Sequence, residues 1–234
     1  MPFAVPMVQV SGGGGAVAAA DITDSTVTGR SVLTGTAARG RAALGLEEMP
    51  LTTPGAWTLD SGVVVASSTL TATLTAGLGS ARRVGACAHT RRLVGCELVA
   101  MIAYTGSPSP AADAYAEVGL NSGSRDGCHV QLRGNGQIQG SAISGGSWTN
   151  TSTASADPTG TWVRMVWPTR ERCEFYYSKA VARPTSEGDW TWLGGVAIPT
   201  SAVYGTIHAG CASASGANAV ATVTDLTLRG WPIV

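Results

Sequence analysis

Apolar and polar residues alternate with a period of two over much of this chain, a pattern typical of β-strands. Residues 161–193 contain two β-strand runs and a tryptophan-bearing hairpin. The first strand of that stretch has apolar side chains on both faces, with Val163, Met165 and Trp167 on one and Trp162 and Val166 on the other. A strand with one solvated face would be polar at every second position. The stretch therefore predicts an interior strand of a two-sheet sandwich.

Shorter alternating runs on both sides of this stretch predict further strands. They cover residues 70–75, 83–88, 93–104, 115–121, 129–133, 137–139, 207–212 and 220–228. A Gly-Asn-Gly sequence at 134–136 joins two of these runs and predicts a β-hairpin. In the strand before it, Val130 and Leu132 are expected to point into the core and the polar residues between them outward. The predicted fold class is all-β, a two-sheet antiparallel sandwich over residues 56–234.

The N-terminal part of the chain does not show this alternation. Residues 1–20 form an apolar arm with a glycine hinge, expected either to be disordered or to dock on another subunit as an added edge strand. Residues 21–55 predict a short helix over 37–44, with Thr36 as its N-cap, and then a proline-containing linker over 47–55. Because two turns of helix are unstable alone, this helix is expected to pack against the sandwich or sister subunits.

Composition and charge exclude several classes of function. The formal net charge is zero and 13% of the residues are charged, so the chain has no basic field for nucleic acid. No run of about eighteen apolar residues is present, so no membrane insertion is predicted. The first residues, Met-Pro-Phe-Ala-Val-Pro, lack the basic region of a secretory signal, which predicts synthesis in a cytoplasm.

Metal-ligand and cysteine patterns predict structural roles only. The three histidines, His89, His129 and His208, are far apart in sequence and lack the paired spacing of metal ligands. Structural roles are therefore predicted for them, with no metal and no cofactor. The five cysteines are odd in number and include no Cys-x-x-Cys pair. They are expected to be mostly buried thiols, and the sequence leaves open whether any of them pair.

No catalytic residue is predicted. A glycosidase needs two carboxylates that flank the scissile bond, and the nearest approach to such a pair is the sequence Glu-Gly-Asp-Trp-Thr-Trp over 187–192. Trp192 stands where a further acid would be required, and Gly188 favours a turn. The protein is therefore expected not to be an enzyme, and polysaccharide depolymerisation is the weakest of the functions considered. Trp190 and Trp192 share one strand face, and at least one of them is expected in the core.

The chemistry of a sugar site is present in a different part of the chain. Sugars combine apolar ring faces with many hydroxyls, so a site needs aromatic rings beside amide, acid and guanidinium groups. These groups are supplied by the outward positions of the strands around the predicted hairpin and by Trp148 on the loop that follows: Tyr115, Glu117, His129, Gln131, Arg133, Gln137, Gln139 and Trp148. Two other interpretations remain open, since the same face could be the solvated side of a sheet or be covered by another subunit.

Two segments carry resemblances to known families. Residues 21–46 contain Ile-Thr-Asp-Ser-Thr, Thr-Gly-Arg and a final Ala-Leu-Gly-Leu, and this segment resembles one met in tail fibres and other appendages of tailed bacteriophages. Further on, a Trp-Val-Arg strand at 162–164, a Phe-Tyr-Tyr-Ser strand at 175–178 and a Gly-Asp-Trp hairpin at 188–190 resemble the concanavalin A-like lectin/glucanase jelly roll. The second resemblance implies an antiparallel jelly roll of a kind that often binds carbohydrate.

Together the two resemblances imply a phage virion protein, a fibre, spike or other surface appendage. Residues 1–46 would attach it to other virion proteins, and the jelly roll would recognise host-surface carbohydrate during adsorption. The first resemblance also implies a homotrimer located at the virion surface. The alternative is a purely structural capsid-decoration, head-fibre or tail protein that binds no glycan.

Overall fold

The computed structural model describes residues 49–50, 57–75, 81–92, 95–106, 114–121, 126–169, 171–198, 204–213 and 218–229. The predicted N-terminal arm and helix lie outside the described residues. Residue contacts join Leu46–Val234 into one compact unit. Within the described ranges, no helix has the length and apolarity needed to cross a bilayer.

Sixteen antiparallel strands make up the described part of the chain. In chain order they are β1 Met49–Pro50, β2 Trp57–Leu59, β3 Val63–Ala66, β4 Thr69–Leu74, β5 Ala81–Arg92, β6 Glu97–Gly106, β7 Ala114–Asn121, β8 Gly127–Arg133, β9 Gln137–Ser144, β10 Ser147–Asn150, β11 Ala154–Ser155, β12 Thr161–Thr169, β13 Arg172–Ser178, β14 Thr191–Ala197, β15 Tyr204–Ser213 and β16 Ala219–Arg229. A single turn of 3-10 helix, Glu187–Asp189, precedes β14.

The strands form two eight-stranded sheets. Sheet A has the order β14-β13-β12-β6-β16-β4-β3, with β1 paired to β16. Sheet B has the order β10-β9-β8-β7-β15-β5-β2, with β11 paired to β9. The predicted two-sheet antiparallel sandwich is confirmed, and β12 is an interior strand of sheet A, as its two apolar faces indicated.

The core lies between the sheets and is formed by the inward positions of both. Among the largest fully buried side chains are Ile102, Met165, Trp167 and Phe175 from sheet A, and Leu120, Leu132, Ile138 and Ile207 from sheet B. Burial of one such side chain contributes roughly 1.5–3 kcal/mol. All five cysteines are buried free thiols, as expected for a core without a disulfide framework.

Two local predictions are wrong. Neither Trp190 nor Trp192 lies in the core. Leu193 takes the inward position of β14, so alternation turns Trp192 outward, where it is 59% exposed. Trp190 precedes β14 and lies beside the guanidinium of Arg164, partly buried. The predicted linker also contains a strand, since Met49 pairs with Leu228. The sandwich therefore begins before residue 56. The turn predicted at Glu187–Asp189 is confirmed.

Candidate functional site

The residues predicted for a sugar site meet on the side of sheet B that faces away from the core. Across the sheet, Tyr115 lies opposite Arg133, Glu117 lies opposite Gln131, and Gln131 lies opposite Gln139. The intervening residues of these strands belong to the core, so alternation places all of these polar side chains on the other face. We call this surface the polar face, and it comprises Arg82, Tyr115, Glu117, His129, Gln131, Arg133, Gln139, Ser141 and His208.

The centre of the polar face is withdrawn from water. Glu117 is 1% exposed, His129 2%, Gln131 3% and Gln139 4%. The interpretation of this surface as the solvated side of a sheet is therefore wrong for these residues. Because a polar group loses its hydrogen bonds to water on burial, each of them needs a partner within the protein.

Amide side chains supply many of those partners. Gln139 donates from Nε2 to Gln131 Oε1 at 3.1 Å and lies 3.3 Å from Ser141 Oγ. Gln131 Nε2 lies 3.0 Å from His129 Nε2. Ser141 Oγ donates to Asn150 Oδ1 at 2.8 Å. The hydrogen-bonded series thus runs from β8 through β9 to the exposed edge strand β10.

Glu117 is the buried charge of the polar face. Arg82 Nε donates a hydrogen bond to Glu117 Oε1. Burial is the largest single influence on this carboxyl group and opposes its ionisation, but Arg82 together with His208 and His129 outweighs burial and holds the pKa of Glu117 below its ordinary value. Glu117 is therefore an ionised carboxylate at neutral pH.

His129 and His208 lie on either side of Gly119. This glycine is opposite His208 on β15 and opposite His129 on β8, and a Cβ atom at its position would lie 2.2 Å from the carbonyl oxygen of Cys128. The two imidazole rings have centroids 6.0 Å apart. Their separation in sequence gave no sign of this proximity, because it is the strand order that brings them together.

Both rings contact the same carboxylate. His129 Nε2 lies 3.9 Å from Glu117 Oε2, and His208 Nε2 lies 3.8 Å from Glu117 Oε1. Burial lowers the pKa of His208 to about 3 and also lowers the pKa of His129. Both imidazoles are neutral at pH 7. Neither ring nitrogen of His208 has a hydrogen-bond partner in the part of the chain that the structure describes.

The margins of the polar face reach solvent. Trp148 is 50% exposed, and its ring meets the His129 ring at 5.2 Å in an edge-to-face arrangement. At the opposite end, Gln137 is exposed and accepts a hydrogen bond from Asn135 in the hairpin turn. Tyr115 is partly buried, which raises its pKa to about 12. All eight predicted residues are therefore on the polar face or at its margins.

Sequence reasoning missed Arg82, Ser141 and His208. The alternation of β15 carried a signal for His208, because it stands between the apolar residues Ile207 and Ala209. No signal in the sequence pointed to Arg82. Its strand β5 and the strand β7 of Glu117 are separated in the sheet by β15 alone, and this strand order is what lets Arg82 reach Glu117.

A second charged cluster lies on sheet A, on the side away from the core. Arg164 donates from Nε to Glu97 at 2.6 Å and from Nη1 to Glu187 at 2.7 Å. Its guanidinium also lies 5.3 Å from the ring centre of Tyr176 and 5.8 Å from that of Trp190. The hydrogen bond from Arg164 lowers the pKa of Glu187. A general acid needs a raised pKa, so this carboxylate is unsuited to that role.

Comparison with known proteins identifies the fold. No family model and no curated protein matches the sequence. Among solved structures, the chain is similar to the Ca²⁺-bound exoplasmic/lumenal domain of VIP36, with TM-score 0.54, 13% identity, and coverage of 82% of this chain and 94% of that one. It is also similar to the GH43 protein BlXynB of Bacillus licheniformis, with TM-score 0.53 and 14% identity, over 76% of this chain and 38% of that one.

A third similar structure is the carbohydrate-binding module CBM66 of Bacillus subtilis. The TM-score is 0.50 at 8% identity, and the match covers 75% of this chain and 96% of that one. Identities this low establish the fold alone. The sandwich is a jelly roll of the kind found in lectins and glycosidases, which confirms the predicted fold at that level.

Proposed function

We propose that this protein binds carbohydrate without cleaving it, at the margin of the polar face beside Trp148. The observation that carries the proposal is a half-exposed tryptophan packed against a buried, hydrogen-bonded set of amide, imidazole and carboxylate groups. An exposed ring offers the flat apolar contact that one face of a sugar requires. Similarity of the fold to that of the carbohydrate-binding module CBM66 also supports the proposal.

The dimensions of the polar face favour an oligosaccharide as ligand. His129, which contacts Trp148, and Arg133 are four residues apart on β8, so the face extends about 14 Å along the strand. Its exposed groups are at the two ends, with Trp148 and Asn150 at one and Gln137, beside the partly buried Arg133, at the other. A ligand that contacts both ends must be longer than one sugar ring.

The charges of the polar face favour binding over hydrolysis. Among its described residues Glu117 carries the sole carboxylate, whereas glycosidases use two. Arg82 keeps that carboxylate ionised, so it cannot donate a proton to a leaving group at neutral pH. Release of reducing ends from a host polysaccharide would contradict this part of the proposal.

Matched tryptophan variants of the full chain test the site. On a glycan array, and then by calorimetry with the best ligand, Trp148→Ala and Arg133→Ala are expected to weaken binding about tenfold or more, equivalent to about 1.4 kcal/mol. Trp192→Ala removes a tryptophan that is similarly exposed on the other sheet and is expected to leave affinity unchanged. Equal loss in both tryptophan variants, or no glycan bound by the wild type, would exclude this site.

A second candidate function is purely structural, and the burial of the polar face favours it. Side chains that are 1–4% exposed, such as Glu117 and Gln139, cannot contact a ligand directly. In this alternative the sandwich packs against neighbouring proteins and binds no sugar. Failure of the intact protein to bind any host glycan or host cell would support it.

We further propose that the protein is a phage appendage at the virion surface. This proposal rests on the resemblance of residues 21–46 to phage appendage segments. Mass spectrometry of purified particles is expected to find the chain, and antibody against it is expected to block adsorption. Absence of the chain from particles would contradict this assignment without affecting the proposed sugar site.

A further inference from the structure

Three side chains with metal-ligating atoms converge on the polar face from adjacent strands. The ligand atoms of Glu117 on β7, His129 on β8 and His208 on β15 all lie within 4.8 Å of one another. We propose that these three residues bind a divalent transition-metal ion and that Zn²⁺ is the ion they fit. This proposal does not rest on the proposed binding of sugar.

The distances require little rearrangement. Zinc binds nitrogen and oxygen ligands at about 2.0–2.1 Å, which places tetrahedral ligand atoms about 3.3 Å from one another. His129 Nε2 now lies 3.9 Å from Glu117 Oε2 and His208 Nε2 lies 3.8 Å from Glu117 Oε1, and the three ligand atoms lie within 4.8 Å of one another. Small side-chain rotations close this gap, and Gly119 already holds the strands of both histidines beside β7.

His208 supplies a second, independent observation. Its side chain is 3% exposed, and neither ring nitrogen has a hydrogen-bond partner in the described residues. Buried polar atoms of native proteins are nearly always bonded. Nε2 of this ring is 3.8 Å from the Glu117 carboxylate, so a cation between them would satisfy both groups.

The ligand set selects the class of metal. Two imidazoles and one carboxylate suit zinc and its neighbours, whereas Ca²⁺ and Mg²⁺ prefer sites built from oxygen alone. The buried imidazoles are neutral. Nε2 of His208 has no hydrogen-bond partner in the described residues, whereas Nε2 of His129 must exchange its hydrogen bond from Gln131 Nε2, 3.0 Å away, for the metal. Three protein ligands also leave a fourth position open to water or another small ligand.

Arg82 competes with a metal for Glu117. Its guanidinium bonds to Oε1, the oxygen that also lies closest to His208. The side chain of Arg82 is 41% exposed, so it can move into solvent when a cation arrives. Removal of this competing positive charge is therefore expected to strengthen metal binding. Loss of a metal ligand is expected to have the opposite effect and weaken it.

Calorimetry on untagged, metal-stripped, full-length protein tests the site. The wild type is expected to bind one Zn²⁺ with a Kd below about 10 μM, to gain thermal stability, and to show no response to Ca²⁺. His129→Gln and His208→Gln are expected to weaken Zn²⁺ binding at least about a hundredfold. Arg82→Met is expected to tighten it about tenfold, and Glu171→Gln, at an exposed residue, is expected to leave it unchanged.

Two measurements on the wild type show whether the metal is bound by the histidines or by cysteines. They need no variant, so they hold even if a variant fails to fold. Bound Co²⁺ is expected to give visible bands without the thiolate charge-transfer band in the near ultraviolet. In NMR spectra, Zn²⁺ is expected to shift two of the three histidine rings. A Kd above about 1 mM, a thiolate band, or histidine variants that bind as tightly as the wild type would overturn the proposal.

Discussion

His208 combines a titratable ring with nearly complete burial, and this combination determines how the polar face responds to acid. The titratable groups near it are Arg82, Glu117 and His129. Burial disfavours the protonated ring, and Arg82 disfavours it further, which outweighs the attraction of Glu117. The pKa of His208 falls from 6.5 in the unfolded chain to about 3 in the folded protein.

This shift predicts a loss of stability in acid. Between pH 6.5 and about 3 the unfolded chain binds a proton that the folded protein does not, so stability rises with pH across that window. The contribution is complete above about pH 6.5 and is lost as pH falls, by at most about 1.4 kcal/mol per pH unit. Urea unfolding in EDTA, which keeps cations from competing with protons, measures it.

The variant His208→Gln is expected to reduce that slope between pH 6 and pH 4, two values that lie inside the titration window. Glu171→Gln, an exposed change, serves as the control and is expected to retain the wild-type slope. If the pH dependence of stability is the same in His208→Gln as in the wild type, the His208 ring of the wild type must be protonated in the folded protein as readily as in the unfolded chain.

On the polar face, β7 and β15 place a very small residue opposite each large polar one. Gly119 of β7 lies opposite His208, and Gly210 of β15 lies opposite Glu117. A Cβ atom at Gly210 would be 2.1 Å from the carbonyl oxygen of Arg83. With glycine at 210 and alanine at 212, no large side chain of β15 separates Arg82 from Glu117. Small residues on one strand therefore allow an ion pair between its two neighbours.

On sheet A, Arg164 connects elements that are distant in sequence. It joins β12 to Glu97 at the start of β6 and to Glu187 in the 3-10 turn. Arg164→Met is expected to lower the free energy of unfolding by about 1–3 kcal/mol, because the mostly buried Glu97 loses its closest partner.

Glu187→Gln is the matched comparison for that variant. Its side chain is 81% exposed, and an exposed ion pair contributes little, so a loss below about 0.5 kcal/mol is expected. Chemical denaturation of both variants measures the difference. Equal losses would indicate that the pair with Glu97 does not stabilise the sandwich.

At the scale of the whole molecule, the remaining prediction is trimer formation. The resemblance of residues 21–46 to phage appendage segments implies threefold association, in which the predicted helix over 37–44 would gain burial that it lacks alone. Light scattering after size exclusion is expected to give three times the chain mass of 23.7 kDa. The same measurement on residues 46–234 is expected to give a monomer. A stable monomer of the full chain at micromolar concentration would refute the trimer.

The sequence could predict the fold class and the composition of the polar face because both depend on local patterns. Alternation identified β12 as an interior strand from Met165, Trp167 and their neighbours. It also separated Val130 and Leu132 from the polar residues between them. These assignments need only the two-residue period of an extended chain. The same rule failed for Trp192, because the sequence did not indicate which of two adjacent apolar residues would face the core.

The tertiary structure alone decided which strands are neighbours and how deeply the polar face is buried. β15 follows β8 by more than seventy residues in the chain, yet lies one strand away from it on the other side of β7. That order places His208 beside Glu117 and His129, and it brings Arg82 within reach. Period-two patterning determines the direction of each side chain, but strand order is a non-local property set by the packing of two whole sheets.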